Sequence, residues 1–211
     1  MKTALEETLF SFAREAPAKP ERRRDQRHVT ILKVGSLFID GRRELCLIRN
    51  ISAGGLMVHV YSDIEPGAPL EIELQEGRRV AGVATWVEEG NVGIQADQPI
   101  DVAAMLACPS NAGTSQRPRR PRIEVDRLAT IRIGAFTYGA NTRDISQGGV
   151  KLEIDRPIEP GTEIVLTLER FRPVHGVVRW CHDGECGVEF NQLIPLPDLV
   201  QWLSDPDDKA N

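Results

Sequence analysis

Apolar and polar residues alternate in short runs along most of this chain. "PLEIELQ" (69–75) and "TEIVLTLE" (162–169) place roughly every second residue on an apolar face. That is the period of a strand with one side buried. "HVTILKVG" (28–35) is short and β-branched, and "ELCLIRNIS" (44–52) and "GGLMVHVY" (54–61) flank a glycine corner. "RRVAGVATWVEEGNVGIQAD" (78–97) predicts a hairpin turning at Glu89-Gly90-Asn91, and "RPVHGVVRWCHDGECGVEF" (172–190) a second turning at Asp183-Gly184. The apolar stretches "IDVAAMLA" (100–107) and "LPDLVQWLS" (196–204) predict short helices. "TALEETLFSFARE" (3–15) spaces Leu5, Leu9 and Phe12 at helical intervals, behind a Thr3/Glu6 capping box.

The chain repeats itself. Asn50-Ile-Ser-x-Gly-Gly recurs as Asp144-Ile-Ser-x-Gly-Gly, 94 residues later. The same interval carries Ile64–Gly67 onto Ile158–Gly161, Trp86 onto Trp180 and Gly93 onto Gly187. Upstream, Gly35 pairs with Gly134 at an interval of 99, which predicts a shortened first hairpin in the second half. About six short strands and one terminal helix per half predict an all-β protein: two tandem, small, six-stranded antiparallel β-barrels, each with a short C-terminal helix. Closure removes edges that so small a sheet would otherwise expose. The expected units are an N-terminal segment (1–20), a first barrel (21–107), a linker (108–120) and a second barrel (121–205). The Pro-, Ser- and Gly-rich "CPSNAGTSQRPRRP" marks the joint.

Charge adds a local feature. The formal net charge is −5, so the molecule as a whole is not a generic DNA binder, and any nucleic-acid contact would be confined to its basic runs. Yet each barrel is preceded by arginines, "KPERRRDQRH" (19–28) and "RPRRPRIEVDR" (117–127). Asn50 and Ser52, two apart on a strand, point to one face. A carboxamide, a hydroxyl and paired guanidinium groups suit a guanine-bearing phosphate ligand, since guanidinium binds both phosphate and the O6/N7 edge of guanine. The four cysteines, Cys46, Cys108, Cys181 and Cys186, fit no zinc spacing and are read as reduced cytosolic thiols. No run approaches the roughly 20 apolar residues of a membrane span. No catalytic constellation is recognisable, so no enzyme activity is expected.

Arg23-x-x-x-Arg27 followed by Asn50-x-Ser52-x-x-Gly55 resembles the two-part motif of the PilZ family, RxxxR and (D/N)xSxxG, here as a tandem pair. The resemblance implies a cytoplasmic receptor for the bacterial second messenger cyclic di-GMP, acting on a downstream protein of motility, pilus or polysaccharide machinery. A nucleotide-independent adaptor is the other role it allows. It also implies that Arg23 and Arg27 clamp phosphate and guanine, that Asn50 and Ser52 hold a guanine from the wall, and that Gly55 keeps the corner open. In the second half Asp144-x-Ser146-x-x-Gly149 is intact, but the arginines depart from the pattern. Arg122 and Arg127 have four residues between them, so a weaker second site is expected from Arg122, Arg127, Asp144, Ser146 and Gly149.

Overall fold

The computed structural model describes residues 29–75, 77–106 and 120–205. The N-terminal segment, Arg23, Arg27 and most of the linker lie outside the described residues.

The first half is a closed barrel of β1 (Val29–Ile39), β2 (Arg42–Ser52), β3 (Gly55–His59), β4 (Pro69–Gln75), β5 (Arg78–Glu88) and β6 (Asn91–Ala96), in the order β1-β2-β3-β6-β5-β4. The helix α1 (Val102–Leu106) follows it. The second half repeats the plan with β8 (Leu128–Ile133), β9 (Phe136–Ser146), β10 (Gly149–Glu153), β11 (Glu163–Leu168), β12 (Val174–His182) and β13 (Glu185–Phe190). Pairing of β10 with β9 closes that ring. A short β7 (Ile123–Glu124) lies beside the far end of β9, and α2 (Leu196–Ser204) completes the chain's described part. All pairings are antiparallel.

The alternation read from sequence is what fills the barrels. Leu37, Ile48, Ile51 and Ile72 point inward in the first and are fully buried, as are Ile131, Ile145, Leu152 and Leu166 in the second. Asp40-Gly41, Glu89-Gly90 and Asp183-Gly184 each have positive φ at both residues, the left-handed pair that two-residue hairpins require. Helix α2 buries Leu196, Leu199 and Trp202, and the Trp202 indole N–H donates to the Glu169 carbonyl at 2.8 Å.

Two sequence expectations are corrected. The first hairpins are equally long, because β2 and β9 each have 11 residues. Leu37 faces Ile72 and Ile131 faces Leu166, so the interval of 94 holds back to the first strand. Gly35 and Gly134 are not equivalent. Gly35 lies inside β1, where a Cβ would stand 2.7 Å from Ile48 Cδ1 and 2.9 Å from the Glu73 carbonyl, whereas Gly134 turns the chain at φ 57°. The second correction concerns the cysteines. Cys181 and Cys186 face each other across the β12–β13 hairpin and form a disulfide. A spacing of five looks unlike a knuckle, but a two-residue turn folds it into a cross-strand pair.

The barrels touch through the outer wall of the first. Leu45 points away from its own core, opposite to fully buried Cys46, yet is only 3% exposed because it joins the second barrel's apolar cluster. Val34 and Leu47 pack beside it, with Ile123 and Val125 on the other side.

Candidate functional site

Each glycine corner is built by a bulge followed by a tight reversal. Pairing jumps from Ile48–Val58 to Asn50–Met57, leaving Arg49 unpaired, and the second barrel repeats this at Arg143. Bulges re-aim side chains. Here Ile51 stays in the core, so Asn50 and Ser52 share the outer wall. Asn50 is half-buried, and its carboxamide oxygen accepts a hydrogen bond from the Thr30 hydroxyl at 3.1 Å.

Ser52 is part of the corner's own frame. Its hydroxyl donates to the Gly55 carbonyl at 3.2 Å, and Ser146 does the same to Gly149 at the same distance. The corner's carbonyls are also spoken for. Ala53 accepts from the Ile100 N–H at 2.8 Å and Gly54 from the Ala96 N–H at 3.1 Å. Gln147 and Gly148 accept likewise from Ile194 and Phe190. Each corner is thereby joined to the segment that leads into its barrel's terminal helix.

The glycines act by close approach. Neither Gly54 nor Gly55 has a positive φ. A Cβ on Gly55 would lie 2.0 Å from the Ile94 carbonyl oxygen, and one on Gly149 2.4 Å from that of Val188. β3 and β10 start so near the neighbouring strand that no side chain fits. The same device recurs where Trp86 lies across Gly93 and Trp180 across Gly187, with the indole nitrogen about where a Cβ would be.

The second corner has arginines of its own. Arg122 forms an ion pair with the Asp144 carboxylate. The Arg120 side chain passes over the corner, its Cδ 3.5 Å from where a Cβ on Gly148 would stand. Arg120 was visible in the basic run but matched no motif position. Arg127, by contrast, is turned away from the corner. It is 7% exposed, its guanidinium stands 4.5 Å from the Trp202 ring centroid, and it donates to the carbonyls of Trp202, Leu203 and Asp205. Its backbone N–H donates to the buried Thr142 hydroxyl at 2.9 Å. These acceptors are the orphan carbonyls at the end of α2, where the helix dipole also favours a cation. The interval of 94 explains the departure: Arg127 occupies the position of Lys33, while Arg23 and Arg27 correspond to Arg117 and Pro121. Of the residues expected at the second site, Arg122, Asp144, Ser146 and Gly149 are thus brought together and Arg127 is not.

In the first barrel, burial beneath the same wall raises the Cys46 thiol to about 12. Among the described residues no helix is long and apolar enough to cross a membrane.

Two closed barrels bearing paired (D/N)xSxxG corners define a tandem β-barrel protein. The sequence matches the PilZ domain family over residues 21–107 and 116–204, and the chain belongs to that family. No curated protein matches it. Among solved structures it is similar to PlzA of Borreliella burgdorferi in complex with c-di-GMP, at 13% identity over 80% of this chain and 86% of that one, with a TM-score of 0.37. It is also similar to the Bacillus subtilis inhibitor of motility MotI/DgrA, at 13% identity, 82% and 95% coverage and a TM-score of 0.35. YcgR of Escherichia coli in complex with c-di-GMP follows at 14% identity, 81% coverage of each chain and a TM-score of 0.32. The family assignment rests on the sequence match.

Proposed function

We propose that the chain is a cytoplasmic, non-enzymatic receptor for cyclic di-GMP. The first barrel unit, 21–107, holds the ligand, and the second, 121–205, passes the signal to a protein partner across the linker 108–120. The observation that carries the reading is the complete first motif set against its geometry. Asn50 and Ser52 share the outer wall, and β1 enters beside them, with Thr30 paired to Asn50. Arg27 is two residues before Val29, so its backbone is within about 7 Å of the strand's start; Arg23 is within about 20 Å. Both guanidinium groups can therefore reach a ligand seated on the wall. In this reading Arg23 and Arg27 clamp phosphate and guanine, Asn50 offers its amide to a guanine edge, and Gly55 keeps the corner in shape by letting β3 start against the Ile94 carbonyl. Ser52 contributes by holding the turn.

The second corner supports an adaptor role for its barrel. Arg122 is committed to Asp144, a carboxylate stands where the first barrel has a carboxamide, and Arg127 is built into the helix contact. Isothermal calorimetry with cyclic di-GMP tests the reading. Wild-type protein should bind one site's worth of ligand, Arg23→Ala and Arg27→Ala should nearly abolish the heat, and Arg122→Ala should leave it unchanged. Folded wild-type protein giving no heat at high micromolar ligand would remove the receptor role and leave the adaptor.

A further inference from the structure

We infer that the β12–β13 hairpin is a reversible thiol–disulfide exchange site, with Cys181 the entering sulfur, Cys186 the resolving one, and a low-molecular-weight disulfide as reactant. Three observations carry this. First, the two residues face each other one register in from the turn, with His182 opposite Glu185 between them and it. The first barrel closes its matching hairpin with Val87 opposite Val92. The fold therefore makes this hairpin without a covalent bond, and the bond can be opened while the barrel stays intact.

Second, the two sulfurs differ in access. Cys186 is fully buried in the core. Cys181 is partly exposed and lines a groove of about 410 Å³ whose charged lining is mixed, Arg143 and Arg156 standing with Glu153, Asp155 and Glu185. A small disulfide reaches one sulfur only, the division of labour that two-cysteine exchange needs. Third, the Ile158 N–H lies 3.4 Å from the Cys181 sulfur. A donor aimed at sulfur favours the thiolate, the attacking form. Cys46 differs in access: it is fully buried, and burial outweighs its own backbone hydrogen bond at Gly35 and keeps the thiol neutral.

The exchange balances. The Cys181 thiolate attacks one sulfur of R–S–S–R, forming a mixed disulfide and releasing R–S⁻. Cys186 then attacks the Cys181 sulfur, its proton passing to the departing R–S⁻, which closes the protein disulfide and releases the second thiol. The protein dithiol loses two electrons and the small disulfide gains them. The two cysteine protons end on the two released thiols.

The site is linked to the corner by strand pairing. Cys186 faces Leu152 of β10, the strand that begins at Gly149, and the next residue, Gly187, lies under Trp180. The bond thus ties the strand that flanks the second corner.

The test uses the full chain, dithiothreitol and oxidised glutathione, alkylation, and mass spectrometry of the digest, which separates Cys181 and Cys186 from Cys46 and Cys108. Reduction under native conditions should expose Cys181 to alkylation, and oxidised glutathione should restore a Cys181–Cys186 cross-link with the loss of two hydrogens. Cys186→Ser should accumulate a glutathione adduct on Cys181, and Cys181→Ser should accumulate none on Cys186. The double variant Cys181→Val/Cys186→Val, which copies the first barrel, should keep the wild-type far-UV spectrum and show neither cross-link nor adduct in the hairpin peptide. Failure to form the cross-link, an adduct on Cys186 instead of Cys181, or loss of strand signal on reduction would each overturn the proposal.

Discussion

Replacing Arg127 with alanine should unlock the terminal helix of the second barrel without touching the ligand site. Arg127 is 7% exposed, and its guanidinium donates to three carbonyls at the end of α2 and stands over the Trp202 ring at 4.5 Å. Hydrogen bonds to a charged group are worth about 1.5–3 kcal/mol each, and a desolvated cation–π contact about 2 kcal/mol. These terms overlap, and the carbonyls nearest Asp205 regain water, so the net loss should be about 3–5 kcal/mol. For a unit of this size that lowers the melting temperature by roughly 12 °C or more. Trp202 reports the event: the chain has 3 tryptophans, and Trp86→Phe/Trp180→Phe leaves Trp202 as the only one. Urea titration in that background, followed by Trp202 fluorescence, gives the free energy directly. Arg127→Lys keeps a charge but loses the planar fork, so it should fall between the two. If Arg127→Ala unfolds within about 0.5 kcal/mol of its parent, the helix-lock reasoning is wrong. Abolished cyclic di-GMP binding at unchanged stability would return Arg127 to the ligand site.

Gly55→Ala should cost about 3 kcal/mol or more in urea denaturation, because the new methyl would sit 2.0 Å from the Ile94 carbonyl. Gly139→Ala is the control: nothing lies within 4 Å of its Cβ position, so the change should stay within about 0.5 kcal/mol of zero. Cys46 should make the first barrel alkali-sensitive. Its folded value of about 12 lies above the ordinary value near 9, so its contribution is complete below pH 9 and disappears as pH climbs towards 12. Between those limits stability should fall by about 1.4 kcal/mol per pH unit, a slope that Cys46→Ala removes. Arg122→Ala should cost under about 1 kcal/mol by the same titration, since that pair is half-exposed.

The barrels were legible because strand period and turn chemistry are local. Alternation gave the strands, and Asp-Gly or Glu-Gly gave the hairpins. The repeat then fixed which strands correspond. Errors came where a residue type serves two purposes. A glycine aligned with a glycine misplaced the interval by five, since one answers to crowding inside a strand and the other to a turn. An arginine near a motif looked like a ligand clamp, although its partners, the carbonyls of residues 202–205, are some 75 residues downstream. Strand register hid the Cys181–Cys186 bond in the same way. The motif serine and glycine were found by their pattern, but their hydrogen bond and their crowding belong to the fold.

The outward leucine of the first barrel has a counterpart worth following. Val34, Leu45 and Leu47 meet the second barrel; at the same register the second barrel presents Leu128, Gly139 and Asn141. Two apolar side chains have become a bare backbone and a carboxamide, and a trough of about 870 Å³ lies open there. The two copies are alike inside and unlike outside. Among the described residues one wall adheres and its twin is uncovered, with Leu128 left exposed beside the bare backbone of Gly139. The repeat has thus kept its interiors and diverged on one face, so the two barrels are not interchangeable in the pair.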